Sequence, residues 1–281
     1  MEQLKYAYYP GCTRETTGLE YDASLREVFR VLEIDLQEIP GWNCCGASSG
    51  HATDYWLSHG LAGRNLALAE KMNMDIAVAC PACFLRLKST LHEFKYNPVL
   101  SQELPDIINI PYSGRYGVHH ILEILGSLQE DVLKTKVKRP LSGLRVVAYY
   151  GCYLIRPPEL TGFDDPENPQ IMDNLLEKLG ADVSDWRGKV SCCGGSQSFT
   201  LRNEVIRLVS SITEAAREVE AAAIVTACPL CQVNLETRQN IKEPIPIFYF
   251  TELMGIAFGI PSGNWLRRHL INPYRVISKY I

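Results

Sequence analysis

The chain has 281 residues, of which 46% are hydrophobic and 21% charged, with a formal net charge of −4 and a pI near 5.9. This is the balance of an ordinary globular protein, and it argues against a general nucleic-acid binder, which would carry a basic stripe. MEQLKYAYYPGC mixes charges ahead of any apolar run and does not read as a signal peptide. Residues 245–260, the most apolar stretch, are broken by Glu252 and too short to span a bilayer. The expected location is the cytoplasm, with no transmembrane segment.

In chain order, residues 4–9 form a short β-prone run that ends at Gly11-Cys12. Leu25, Val28, Phe29 and Leu32 fall at i, i+3, i+4 and i+7 and predict a helix. A strand over 35–38 leads to Cys44-Cys45-Gly46, and a helix is expected over 55–72. A strand over 75–79 ends at Cys80-Pro81-Ala82-Cys83. There Pro81 suits the first turn of a new helix, where its missing N–H has no partner anyway. The basic, Pro- and Gly-containing segment 134–143 is the expected junction.

The second part repeats this order. A strand over 144–150 ends at Gly151-Cys152, and Met172, Leu175, Leu176 and Leu179 repeat the helical stripe, with Gly180 as a stop. A strand over 182–185 leads to Cys192-Cys193-Gly194. A helix over 199–221 and a strand over 222–227 then lead to Cys228-Pro229-Leu230-Cys231. Residues 118–126, including His119 and His120, match 247–255 and read as packing positions. Extra residues fall near 94–114 in the first half and 157–169 in the second.

All ten cysteines therefore belong to two copies of one pattern, a lone Cys, a Cys-Cys-Gly and a Cys-x-x-Cys. Both copies leave 34 residues between the pair and the Cys-x-x-Cys. The expected architecture is α/β: two pseudo-twofold-related halves, 1–138 and 139–281, each a small, mostly parallel, Rossmann-like sheet flanked by helices. Every thiol-bearing turn then follows a strand end, the edge where open α/β sheets bind ligands. This predicts a compact five-sulfur cluster in each half.

In a reducing compartment such cysteines point to metal or redox chemistry rather than to disulfides. One structural zinc needs four ligands, so five thiols are one too many, and the side chains of an adjacent Cys pair diverge. Zinc in one half stays open as an alternative. A thioredoxin-like dithiol would use only the Cys-x-x-Cys and leave the pair idle. An iron–sulfur core spreads its ligand sites over several irons, which can accommodate adjacent cysteines. The linear ferredoxin run is absent.

Tyr8-Tyr9-Pro10-Gly11-Cys12, Asn43-Cys44-Cys45-Gly46-Ala47-Ser48-Ser49 and their counterparts resemble the B subunit of heterodisulfide reductase, in its bacterial form, within the cysteine-rich CCG family. The resemblance runs from Tyr8 to Gly255. Methanogen relatives have Pro where this chain has Gly46, which leaves the substrate open. The resemblance implies two noncubane [4Fe-4S] clusters, one held by Cys12, Cys44, Cys45, Cys80 and Cys83, the other by Cys152, Cys192, Cys193, Cys228 and Cys231. It implies a disulfide clamped between them, one sulfur captured by each, and two electrons releasing two thiols. It also implies a C-type partner with ferredoxin clusters and a flavin-bearing A-type partner. The alternatives are an electron-transfer subunit of a lactate- or glycolate-type oxidoreductase and a non-catalytic scaffold.

His51, six positions after Cys45, is a candidate proton donor. Gln197 and Ser48 are candidates for hydrogen bonds to cluster sulfur, and Arg14 and Arg156 for contact with an anionic substrate. Arg267-Arg268-His269 through Lys279 reads as a basic docking surface or a solvated tail.

Overall fold

The computed structural model describes residues 4–47 and 49–281. The first half contains β1 (Lys5–Tyr9), α1 (Leu19–Val31), β2 (Asp35–Glu38), α2 (Gly50–Thr53), α3 (Tyr55–Glu70), β3 (Ile76–Val78), α4 (Pro81–Tyr96), α5 (Pro98–Ile108), β4 (Val118–His120) and α6 (Ile121–Gly126). After α7 (Glu130–Lys136) the second half runs through β5 (Arg145–Tyr149), α8 (Pro158–Thr161), α9 (Ile171–Lys178), β6 (Asp182–Val183), α10 (Arg202–Glu218), β7 (Ala223–Thr226), α11 (Pro229–Arg238), β8 (Ile247–Tyr249) and α12 (Phe250–Ala257). Two short helices, α13 (Gly263–Leu266) and α14 (Tyr274–Ile277), follow.

The two sheets have one topology. Their strand orders are β2-β1-β3-β4 and β6-β5-β7-β8, and every pairing is parallel. Central strands of a parallel sheet are covered on both faces and read as continuous apolar runs. Tyr8, Tyr9 and all of β3 are accordingly buried, as are residues 146–149 and all of β7. The polar β2 (DLQE) takes the edge.

Local chemistry sets the helix boundaries. The Asp54 side chain accepts from Leu57 N and starts α3, while Pro81 and Pro229 open α4 and α11 directly after Cys80 and Cys228. The extra residues at 94–114 hold α5, which Asn97 caps through Val99 N. Those at 157–169 hold only α8 and a loop. At the junction, residues 134–136 lie in α7, and the N–H groups of Lys138 and Arg139 both bond to Ala257 O.

The halves meet in symmetry-related pairs. α1 packs on α12, and α9, the counterpart of α1, packs on α6, the counterpart of α12. At this seam Tyr21 stacks on Tyr249, with centroids 4.1 Å apart and planes 3° from parallel, and Ser24 Oγ lies 2.7 Å from Thr251 Oγ1.

Candidate functional site

The ten cysteines all follow the C-terminal ends of strands, Cys83 and Cys231 in the first turns of α4 and α11. β1 and β5 run into Gly11-Cys12 and Gly151-Cys152, where the glycines take φ of +72° and +68°. A Cβ on Gly11 would stand 3.3 Å from Cys83 Sγ, and one on Gly151 would stand 3.3 Å from Cys231 Sγ. Glycine thus serves both the left-handed backbone and the close approach of sulfur. Strand register aligns Tyr9 with Tyr149 and Pro10 with Tyr150. Tyr9 Oη donates to Asn43 O at 2.8 Å, and Tyr149 Oη donates to Ser191 O at 2.6 Å. Each tyrosine therefore ties the lone-Cys turn to the residue just before its Cys-Cys pair.

Two buried asparagines, which no sequence motif singles out, brace the same pairs. Asn65 on α3 accepts from Asn43 N and donates to Asn43 O, both at 2.9 Å. Asn234 on α11 donates to Cys193 O at 2.9 Å. For Asn65 the available signal was an amide among Leu61, Ala62, Leu68 and Ala69 on one helix face.

Three pairs of sulfurs lie in direct contact. Cys45 Sγ and Cys83 Sγ are 3.2 Å apart, Cys193 and Cys231 3.4 Å, and Cys152 and Cys192 3.9 Å. The thiols of Cys12 and Cys44, Cys44 and Cys45, Cys80 and Cys83, and Cys228 and Cys231 lie near enough to shift one another's protonation. Cys80 and Cys228 shift each other's protonation in the same way across the seam between the halves. Each set has a buried trio (Cys45, Cys80 and Cys83; Cys193, Cys228 and Cys231) and a more open pair (Cys12 and Cys44; Cys152 and Cys192). All ten thiols are free.

Thiol–thiol bonding stabilises thiolate at selected positions. Donation from Cys44, then Cys83, brings Cys45 down to about 4, and donation from Cys152, against burial, brings Cys192 to about 6. Donation from Cys231 likewise lowers Cys193. Among the described residues no three His, Cys, Asp or Glu side chains are grouped to hold one ion. Five thiols strung along each sheet edge, three of them buried, suit a ligand containing several metal atoms.

Two cavities adjoin the second set. An inner one of about 330 Å³ is lined by Cys152, Cys192, Cys193, Cys228 and Cys231, by Gln197, and by Pro81 from the first half. An outer cleft of about 600 Å³ carries Leu85 and Arg86 from α4 and Arg156 from the second half. Cys152 and Tyr153 line both.

Other expected residues lie elsewhere. His51 is exposed on α2 and lines neither cavity. Arg14 is held by Asp22 and Glu38 rather than turned to a cavity. His120 is fully buried between Phe84 and Phe163, with Nε2 2.8 Å from Ala79 O, and burial pulls its pKa down to about 4. Ser48 lies outside the described residues. The basic tail is not uniformly solvated: Arg267 and Arg268 are exposed, but the His269 side chain is fully buried between two glutamates.

The cysteine-rich domain CCG matches residues 6–88 and 146–236. The chain belongs to the CCG cysteine-rich family. The two CCG matches each span one strand–Cys set. The 8-methylmenaquinol:fumarate reductase membrane anchor subunit of Wolinella succinogenes is 34% identical, over 92% of this chain and 94% of its own length. The B subunit of the ferredoxin/F420H2-dependent CoB-CoM heterodisulfide reductase of Methanosarcina acetivorans is 29% identical, over 98% and 96%. In fold, this CCG protein is similar to the crystal structure of a hypothetical Helicobacter pylori protein, with a TM-score of 0.76 at 10% identity. That match covers 94% of this chain and 51% of the other. No described helix of this CCG protein is long and apolar enough to cross a membrane.

Proposed function

We propose that this CCG protein is the disulfide-reducing subunit of a heterodisulfide reductase-like complex, working in the cytoplasm. The observation that carries this reading is the approach of the two five-cysteine sets: Cys80 and Cys228 shift each other's protonation across the seam, and Pro81 of the first half walls the cavity lined by all five thiols of the second. Cys12, Cys44, Cys45, Cys80 and Cys83 would hold one noncubane [4Fe-4S] cluster, and Cys152, Cys192, Cys193, Cys228 and Cys231 the other. When bound, such clusters supply one-electron steps and Lewis-acidic iron for sulfur. The protein's own contribution is positioning. Tyr9, Tyr149, Asn65 and Asn234 fix the cysteine turns, and the inner cavity walled by the second cysteine set would hold that set's cluster and limit water around it, with the disulfide reaching it from the outer cleft. The net reaction takes one disulfide, two electrons and two protons to two thiols. The electrons come from outside, through a C-type subunit with ferredoxin clusters fed by a flavin-bearing A-type subunit.

The 34% identity to a fumarate reductase subunit favours a second reading, a subunit that passes electrons from a quinol to a partner enzyme. Anaerobic metal and sulfide analysis comes first: two [4Fe-4S] clusters require about eight irons with matching sulfide, and zinc without sulfide would overturn both readings. Oxidation of a reduced viologen by small disulfides then supports the first reading. Oxidation of a menaquinol analogue with no turnover of any disulfide supports the second.

A further inference from the structure

One cation beside the second cysteine set, Arg86, has no ion-pair or hydrogen-bond partner among the described residues. Arg86 lies on α4 three positions beyond Cys83, on the same helix face. Its side chain is half-buried, and it makes no ion pair or hydrogen bond with another described residue. The cleft it lines contains one other arginine, Arg156, whose guanidinium is already used. Arg156 Nη2 donates to Glu167 Oε1 at 2.8 Å and to Pro166 O at 3.2 Å. Arg156 and Glu167 cancel, so Arg86 leaves the outer cleft with one uncompensated positive charge. Lys88, two positions on, sits over the Phe84 ring at 5.3 Å and is absent from the cleft lining.

A partly desolvated guanidinium with five free donors is costly to leave unanswered, and its planar fork matches the oxygens of a carboxylate, sulfonate or phosphate. We propose that Arg86 anchors an acidic group of the substrate. The anion would sit in the outer cleft, with the sulfur-bearing arm reaching past Cys152 and Tyr153 toward the second cysteine set, since those two residues line both spaces. The inference rests on the disulfide-reduction reading and narrows it. The substrate class becomes a small disulfide with an acidic group a few bonds from the S–S bond. Arg86 comes from the first half and the cavity thiols from the second, so the substrate would bridge the seam.

The test uses cluster-loaded protein under anaerobic conditions, with two disulfides of similar size: 3,3′-dithiodipropionate, which is dianionic, and bis(2-hydroxyethyl) disulfide, which is neutral. Arg86→Gln should lower kcat/KM for the acid roughly 10- to 100-fold through KM, the worth of a charged hydrogen-bonded contact. The neutral disulfide should be turned over as before, and Arg86→Lys should recover part of the loss. Calorimetric titration with 3-mercaptopropionate gives a readout independent of turnover, and its Kd should weaken by a similar factor in Arg86→Gln. Equal losses for both disulfides, or an unchanged Kd, would overturn the role of Arg86. If the parent protein reduces neither disulfide yet binds 3-mercaptopropionate through Arg86, the anion site stands and the reduction reading falls.

Discussion

His269 shows what tertiary structure does to a residue whose sequence neighbours suggest something else. It follows two exposed arginines, yet its Nδ1 lies 2.8 Å from Glu236 Oε1 and its Nε2 2.9 Å from Glu252 Oε1. Burial alone would push its pKa down, but Glu252 and Glu236 overcome that and hold it at about 11. A folded-state pKa above the ordinary 6.5 means stability that is full below that value and lost as pH rises through about 11. Urea midpoints should therefore fall between pH 7 and 10.5, and that slope should flatten in His269→Gln. A parallel slope in the variant would contradict this. Removing the imidazole leaves two carboxylates buried together, so His269→Ala should cost about 3–5 kcal/mol. No pattern around position 269 announces this, because its partners lie 33 and 17 residues away on separate helices. The cysteines were legible for the opposite reason: their spacing repeats within the chain itself.

The elements around the cysteines followed from periodicity and turn chemistry. The strand expected over 35–38 occupies those residues, and both Cys-Pro-x-Cys motifs open helices as the proline requires. The helix expected over 199–221 is shorter, starting only at Arg202, because a 3-10 turn over Gly195–Gln197 lies between Cys193 and α10. Legibility stopped at the braces between elements. Asn65→Ala would leave Asn43 N without its partner and Asn43 O with Tyr9 Oη alone, for a loss of about 1–3 kcal/mol. It should also reduce iron retained after reconstitution, and full iron loading at unchanged thermal stability would refute the brace. The glycine turns should be equally strict. Gly151→Ala combines a left-handed φ with a 3.3 Å contact to Cys231 Sγ, so a penalty of about 1–2 kcal/mol is expected from the backbone alone. Gly11→Ala should match it in a thermal melt. A marked difference between the two would mean that the turns are not equivalent.

At the scale of the molecule, duplication was visible in the sequence, but the seam was not. Tyr21, Ser24, Tyr249 and Thr251 become neighbours only once the halves are docked, and Tyr21 Oη also donates to Ala227 O, one residue before Cys228, at 3.1 Å. A seam this buried predicts one cooperative calorimetric transition for both halves. Tyr21→Ala should lower the midpoint by an amount equivalent to about 3–5 kcal/mol. Two resolved transitions in the unaltered protein would show the halves to be energetically independent.

Pro81 has a consequence of its own. This residue opens α4 in the first half, yet it forms part of the wall of a cavity whose thiols all belong to the second. Two identical chains related by a true twofold axis would have to lend each other that wall in both directions and open two equal chambers. A single fused chain is free of that constraint. One copy can extend α4 into α5 while the other spends its extra residues on the loop beside Arg156, and the assembly acquires a front and a back.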